Sequence, residues 1–300
     1  MKKEICLIIL SLVSFSFLFA QDDTQIPPPL TAPWEIVEVN EFPGPIPYPK
    51  IRQSDVMWER YIWRDIDLHE KRNHALYFPT EPQGIYRSLG QLIIDAIDMN
   101  NPENEDALPV YTDQYCNVKA DRADVRNVIV RTRKIPIWDP DTGEQIGDRD
   151  IEDPLTASQI MYYRLREIWF FDQLRGELNV RILSIEPFFE YDRDDAGGAI
   201  GSEDDVQSLK TKRRLGYIKY DELRPFLAQQ LYFTPKNLSF QLTFDDILTW
   251  KRYFSSYIIA ESNQYNREIQ EYIKNPRDQR LESDRILQQI REFESELWEF

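Results

Sequence analysis

The chain has 300 residues, 42% of them hydrophobic, which is enough to bury a sizeable core without disulfides or a structural metal. Asp and Glu outnumber Lys and Arg by 52 to 36, giving a formal charge of −16. A net anion of this kind repels nucleic acid and anionic membrane surfaces, so neither is expected as a partner.

Lys2 and Lys3, the apolar run over residues 5–19 and the Ala20-Gln21 junction have the layout of a secretory signal, expected over residues 1–20. Cys6 lies inside the apolar run and does not serve as a lipoprotein cysteine. No later stretch offers about eighteen apolar residues in a row, so no membrane insertion is expected. Removing Lys2, Lys3 and Glu4 with the signal takes the charge to −17 and leaves Cys116 as a single cysteine without a disulfide partner in the chain.

Residues 21–50 read as an extended arm. Prolines 27, 28, 29, 33, 43, 45, 47 and 49 remove backbone donors and fix φ. The arm also carries more apolar surface than a free linker does. It is expected either to dock on a partner through Trp34, Ile36, Val37, Phe42, Ile46 and Tyr48, or to pack along its own domain; composition does not separate the two.

The folded domain is expected over residues 51–300. A strand is predicted around residues 61–66, a helix over 85–98 and a strand over 128–135. Asp139-Pro140-Asp141-Thr142-Gly143 is turn chemistry and predicts a hairpin. Thr156 and Gln159 form a capping-box pattern, with Leu155 and Ile160 at the staple positions, and predict a helix running to about residue 172. A strand is predicted over 178–185, a mobile acidic loop over 192–213, a strand over 217–220 and a short helix over 221–230. Thr243 and Asp246 repeat the capping-box pattern and predict a long helix carrying Trp250, Phe254, Tyr257, Tyr265, Ile269 and Tyr272, stopped at Asn275-Pro276. A final helix follows, with Ile286, Ile290, Phe293 and Leu297 in a stripe. The fold class expected is α+β: a small, largely antiparallel sheet with packed helices, the Pro-rich arm, and a C-terminal helical hairpin over residues 243–300.

The candidates for chemistry are thin. His69 and His74 are the two histidines and stand five apart, about 140° around a helix, whereas a zinc motif needs a spacing of four. Asp192, Asp194, Gly197 and Glu203 fit four positions of a calcium loop, but Ala196 occupies a ligand position and a strand is predicted before it. The acidic pairs are sequence neighbours and do not face each other across a cleft as glycosidase carboxylates do. No nucleophile elbow, P-loop or dinucleotide fingerprint is present. The expectation is no catalytic residue, no metal and no cofactor.

Asp55-Val56-Met57-Trp58, then Ile62-Trp63-Arg64-Asp65-Ile66-Asp67-Leu68, Glu70-Lys71-Arg72-Asn73 and Leu76-Tyr77-Phe78-Pro79, resemble the opening of the GldN/PorN family domain. Gly216-Tyr217-Ile218 with Arg224-Pro225-Phe226-Leu227-Ala228 is similar to its central motif. Phe244-Asp245-Asp246-Ile247-Leu248, Glu282-Ser283-Asp284-Arg285-Ile286 and Leu297-Trp298-Glu299 are similar to its C-terminal part. The resemblance runs from about residue 51 to the end. It implies a non-enzymatic structural subunit of the periplasmic ring of the type IX secretion and gliding machinery, located against the inner face of the outer membrane. It further implies assembly with a GldK/PorK-type lipoprotein, coupling to a GldM/PorM-type periplasmic domain, and self-association within the ring. The alternatives from the residues alone are a secreted acidic glycan-acting hydrolase and a calcium- or glycan-binding module.

Overall fold

The computed structural model of the chain describes residues 44–84, 86–98, 107–138, 145–192, 210–232, 242–265 and 267–298. The predicted signal, most of the arm, the turn at 139–144 and most of the acidic loop lie outside these residues.

The centre is a curled antiparallel sheet. Strand β1 (Val56–Asp67) pairs with β4 (Ile160–Asp172), and β4 pairs with β5 (Glu177–Asp192). Beyond β5 lie β6 (Lys210–Arg214) and the short β7 (Ile218–Lys219), both paired with β5; beyond β1 lies β8 (Tyr257–Glu261). The order across the sheet is therefore β6-β5-β4-β1-β8. Strands β2 (Val130–Trp138) and β3 (Gln145–Pro154) form a separate hairpin, as the turn chemistry between them predicts. The helices are α1 (His74–Tyr77), α2 (Leu89–Ile97), α3 (Arg122–Ile129), α4 (Tyr220–Gln229), α5 (Ile269–Tyr272) and α6 (Pro276–Trp298). The chain is thus α+β with an antiparallel sheet.

Three predicted elements differ from the structure. Residues 122–129 are helical, begun by Asp121 accepting from Ala123 N, so the strand predicted from 128 starts at Val130. The Thr156/Gln159 capping box forms but caps a single 3₁₀ turn, Ala157–Gln159, after which Ile160 turns extended and β4 begins. Tyr163, Leu165, Glu167 and Trp169 are all buried, so burial alternates with the period of a strand. A helix would scatter these side chains around its circumference, and the aromatic and β-branched content of residues 160–171 packs better on a pleated surface.

The C-terminal helical hairpin is also corrected. Thr243 and Asp246 do form their reciprocal cap, with Thr243 N donating to Asp246 Oδ2 at 3.0 Å and Asp246 N to Thr243 Oγ1 at 3.2 Å. The helix nevertheless ends after one wide π turn, Asp246–Lys251, because Arg252 is left-handed at φ 49°. Asn73, fully buried, then accepts from Ser255 N at 2.7 Å and donates to Ser255 O at 2.8 Å, fixing this backbone as it enters β8. Of the predicted pair, only α6 is a long helix.

Two apolar clusters flank the sheet. The larger joins Leu89, Ile93 and Ile97 of α2, Leu223 and Leu227 of α4, and Phe244, Ile247 and Leu248 to Ile66, Leu165 and Ile185 of the sheet. The smaller joins Ile62, Trp169 and Ile258 of the sheet to Ile269 of α5 and Ile286 and Ile290 of α6. Glycine is required at 216, where φ is +134° and a Cβ would stand 2.5 Å from Val110 Cγ1. There Tyr217 exchanges backbone hydrogen bonds with Tyr111 at 2.7 and 3.0 Å as the chain passes from β6 to β7.

Candidate functional site

The root of the arm is where a sequence-predicted site meets buried chemistry. Helix α4 carries Arg224 into the interior, 5% exposed, and the turn capped by Thr243 delivers Asp245, 2% exposed, opposite it. Arg224 Nε and Nη2 donate to the two Asp245 oxygens at 2.9 Å each. Thr249 donates to Asp245 Oδ1 at 2.9 Å and stands 2.9 Å from the Tyr220 hydroxyl. A bidentate pair of this kind fixes the plane of the guanidinium. Burial by itself would lower the Arg224 pKa, but the Asp245 hydrogen bonds outweigh it and hold the group above its ordinary value.

That fixed guanidinium grips residues 44–50. Its Nη2 donates to Ile46 O at 2.6 Å, and its carbon lies 4.2 Å from the centre of the Tyr48 ring. Arg181 of β5 covers the same ring at 4.9 Å and donates to Pro49 O at 2.9 Å. Trp250 stands 6.0 Å from Tyr48. Two cations around one tyrosine make this a cation–π anchor. Of the six arm residues named from sequence, Tyr48 is half-buried in the anchor, while Ile46 is 53% exposed. Trp34, Ile36, Val37 and Phe42 lie outside the described residues. Arg224 and Asp245 were not picked out as site residues in the sequence, because their spacing of 21 carries no local signal.

A second cluster sits between the two cores. Glu167, fully buried, accepts from Arg252 Nη2 at 2.7 Å and from Trp169 Nε1 at 2.8 Å, and lies 3.7 Å from Arg64 Nη1. Burial, followed by the like charge of Arg252, lowers the Arg64 pKa, with Glu167 opposing.

A third runs across the sheet as a row of cross-strand neighbours, Glu186, Arg164, Asp65 and Tyr257. Arg164 donates to both Asp65 oxygens at 3.0 and 3.2 Å and to Glu268 at 3.2 Å. Glu186 is 3% exposed and lies 3.6 Å from Arg214 Nη1. Burial pushes its carboxyl up to about 7, against the pull of Arg164 and Arg214. The folded state thus holds the Glu186 proton more tightly than the unfolded chain, and this contribution to stability is complete below about pH 4.5 and is lost as pH rises through 7. Glu186→Gln is expected to flatten the stability profile between pH 4.5 and 8 and to gain on the order of 2–3 kcal/mol over the parent at pH 8. Urea unfolding at pH 4.5, 6 and 8 checks this; parallel profiles for the two proteins would disprove it.

The histidines do not converge on a metal. His69 Nδ1 lies 2.9 Å from Asp67 Oδ1, and His74 Nε2 lies 3.4 Å from the His69 carbonyl oxygen. Among the described residues, no group of three or more His, Cys, Asp or Glu side chains is placed to hold an ion, and no helix is long and apolar enough to cross a membrane. Asp194, Gly197 and Glu203 of the calcium-like pattern lie outside the described residues. Asp245 and Asp246, adjacent in sequence, do separate jobs, one in the anchor and one in the cap.

Residues 51–299 match the family model described as gliding motility associated protein GldN. The chain belongs to the GldN family. The match spans every described element from β1 to α6, with the arm root just before it. Membership ties the chain to gliding motility and its associated secretion machinery, in a family not known for enzymes. No curated protein matches the chain. Several of the residues that carry the resemblance turn out to be structural fixtures. Asn73 holds the entry to β8, Gly216 allows the β6–β7 passage, and Arg224 and Asp245 make the anchor.

Proposed function

We propose that this GldN-family chain is a non-enzymatic structural subunit of a periplasmic ring in the type IX secretion and gliding machinery. On this reading it is exported by its N-terminal signal and lies against the inner face of the outer membrane. It assembles with a GldK/PorK-type lipoprotein, repeats around the ring, and couples to a GldM/PorM-type periplasmic domain. The family match over residues 51–299 carries the reading. The anchor supports a role for the arm, since a rigid root lowers the entropy lost when the arm binds a partner.

The test is co-purification from cell envelopes of the tagged chain and of a form lacking residues 22–50. The full chain is expected to bring down the lipoprotein in high-mass particles, and the shortened form to lose it by tenfold or more, about 1.4 kcal/mol. Undiminished capture by the shortened form would show that the arm does not dock. Recovery of the full chain alone as a monomer would remove the assembly role.

A further inference from the structure

The face from which residues 44–50 enter the domain exposes three large apolar side chains, Ile46 at 53%, Trp250 at 39% and Tyr253 at 46%. They share a neighbourhood. The Arg224 guanidinium that holds the Ile46 carbonyl at 2.6 Å lies 4.2 Å from the Tyr48 ring, itself 6.0 Å from Trp250. Tyr253 follows three residues after Trp250, just past the left-handed Arg252 that ends the turn. Neither ring sits on a loose loop, because Thr249 before them and Phe254 after them are buried.

The same stretch is basic in an acidic chain. Lys50 lies two residues past Tyr48, Lys251 is next to Trp250, and Arg52 begins the turn that leads into β1; all three are exposed. Among the described residues none of the three has an ion-pair partner. Against them stand Asp221, exposed and near Tyr48, and Asp245, which Arg224 already neutralises. Rings with an apolar body and a polar tip, accompanied by lysine and arginine, make up surfaces that rest in a lipid headgroup layer. The formal charge of −16 does not forbid such a contact. Salt screens charge beyond about 8 Å, so the side chains at the contact decide its sign. The rings belong to a turn and a chain root, which offer a peptide neither a strand edge nor a helix groove, and this favours lipid over a protein partner.

We propose that this face rests directly on an anionic lipid surface, with Ile46, Trp250 and Tyr253 seated among the headgroups and Lys50, Arg52 and Lys251 on their phosphates. The inference deepens the placement against the inner face of the outer membrane and rests on that reading for its biological setting. The contact itself is tested in the purified chain without any partner. Failure to capture the lipoprotein and failure of this contact are therefore separate results.

The experiment is flotation of the full chain with vesicles of phosphatidylethanolamine and phosphatidylglycerol in equal parts, compared with vesicles of phosphatidylcholine alone. The parent is expected to float with the anionic vesicles at roughly 0.15 M salt. On phosphatidylcholine, or at roughly 0.5 M salt, its binding is expected to fall by at least about tenfold. Lys50→Glu/Lys251→Glu and Trp250→Ser/Tyr253→Ser are each expected to weaken binding to the anionic vesicles by about tenfold or more. All four side chains are exposed, so both variants are expected to melt with the parent. Brominated lipid is expected to quench the parent's tryptophan fluorescence more than that of Trp250→Phe. A parent that does not float would overturn the proposal; if it still brings down the lipoprotein, the ring reading stands and a protein covers this face. Variants that float like the parent would overturn it too, as when the apolar run over residues 5–19 alone inserts.

Discussion

Glu167→Ala is expected to destabilise the protein by about 3–5 kcal/mol, among the largest effects of any single substitution in the sheet. The carboxylate is fully buried between the two apolar clusters, where Arg252 donates to it and Arg64 lies 3.7 Å away. Removing it leaves two guanidiniums close to the Phe254 ring, at 5.9 and 5.2 Å from its centre, without the carboxylate that neutralises them. It also strands the Trp169 Nε1 donor, which now bonds Glu167 at 2.8 Å. Replacing the whole cluster is a different matter. Glu167→Leu combined with Arg64→Met and Arg252→Met removes the buried charge together with its partners and is expected to recover most of the loss. Urea unfolding of the single and triple variants checks this. A single variant within about 1 kcal/mol of the parent would mean that the cluster is wet and screened.

Arg224→Met is expected to cost a similar amount, about 3–5 kcal/mol, because it leaves Asp245 buried at 2% exposure without its cation. It has a second consequence that Glu167→Ala does not share. Arg224 joins Asp245 to the Ile46 carbonyl and the Tyr48 ring, so its loss is expected to free the arm root. Trypsin cleavage after Lys50, in native buffer, is expected to accelerate by tenfold or more in Arg224→Met and to stay at the parent rate in Glu167→Ala. Asp245→Asn, which keeps the shape but weakens the pair, is expected to fall between. Equal cleavage rates in all three proteins would mean that the arm root is held by Arg181 and Trp250 without Arg224.

These two clusters mark the limit of what the sequence discloses. The pairing of β2 with β3, the helices α2, α4 and α6, and the strands around residues 61–66 and 178–185 were legible, because each carries a local signal: turn residues between paired strands, a cap, or apolar spacing of one period. The family resemblance was legible for a related reason, since short runs such as Arg224-Pro225-Phe226 keep their order and spacing along the chain. Local signals also misled twice in the same way. The capping boxes at Thr156 and Thr243 both form, with the hydrogen bonds the pattern predicts. A cap, however, sets where a helix starts and says nothing of how far it runs. At Ile160 the extension is decided by pairing with Phe189 of β5 in the sheet. At Arg252 it is decided by a guanidinium reaching Glu167, 85 residues earlier in the chain, and by Asn73 catching the backbone of Ser255 from 182 residues away.

The candidate site divides along the same line. Sequence alone determined that the arm is Pro-rich and apolar, that Asp246 caps a helix, and that the chain is acidic. It left open whether the arm packs on a partner or on its own domain. Only the tertiary structure decided that Tyr48 is gripped by its own domain while Ile46 stays exposed, because the grip needs α4, β5 and the turn at 243–251 to converge. The physical reason is one of range. Caps, turns and periodicity act within a few residues and can be read from them, whereas a buried charge is tolerable only where distant segments bring its partner. Glu167, Glu186 and Arg224 are ordinary surface residue types by composition, and the fold alone puts each of them inside.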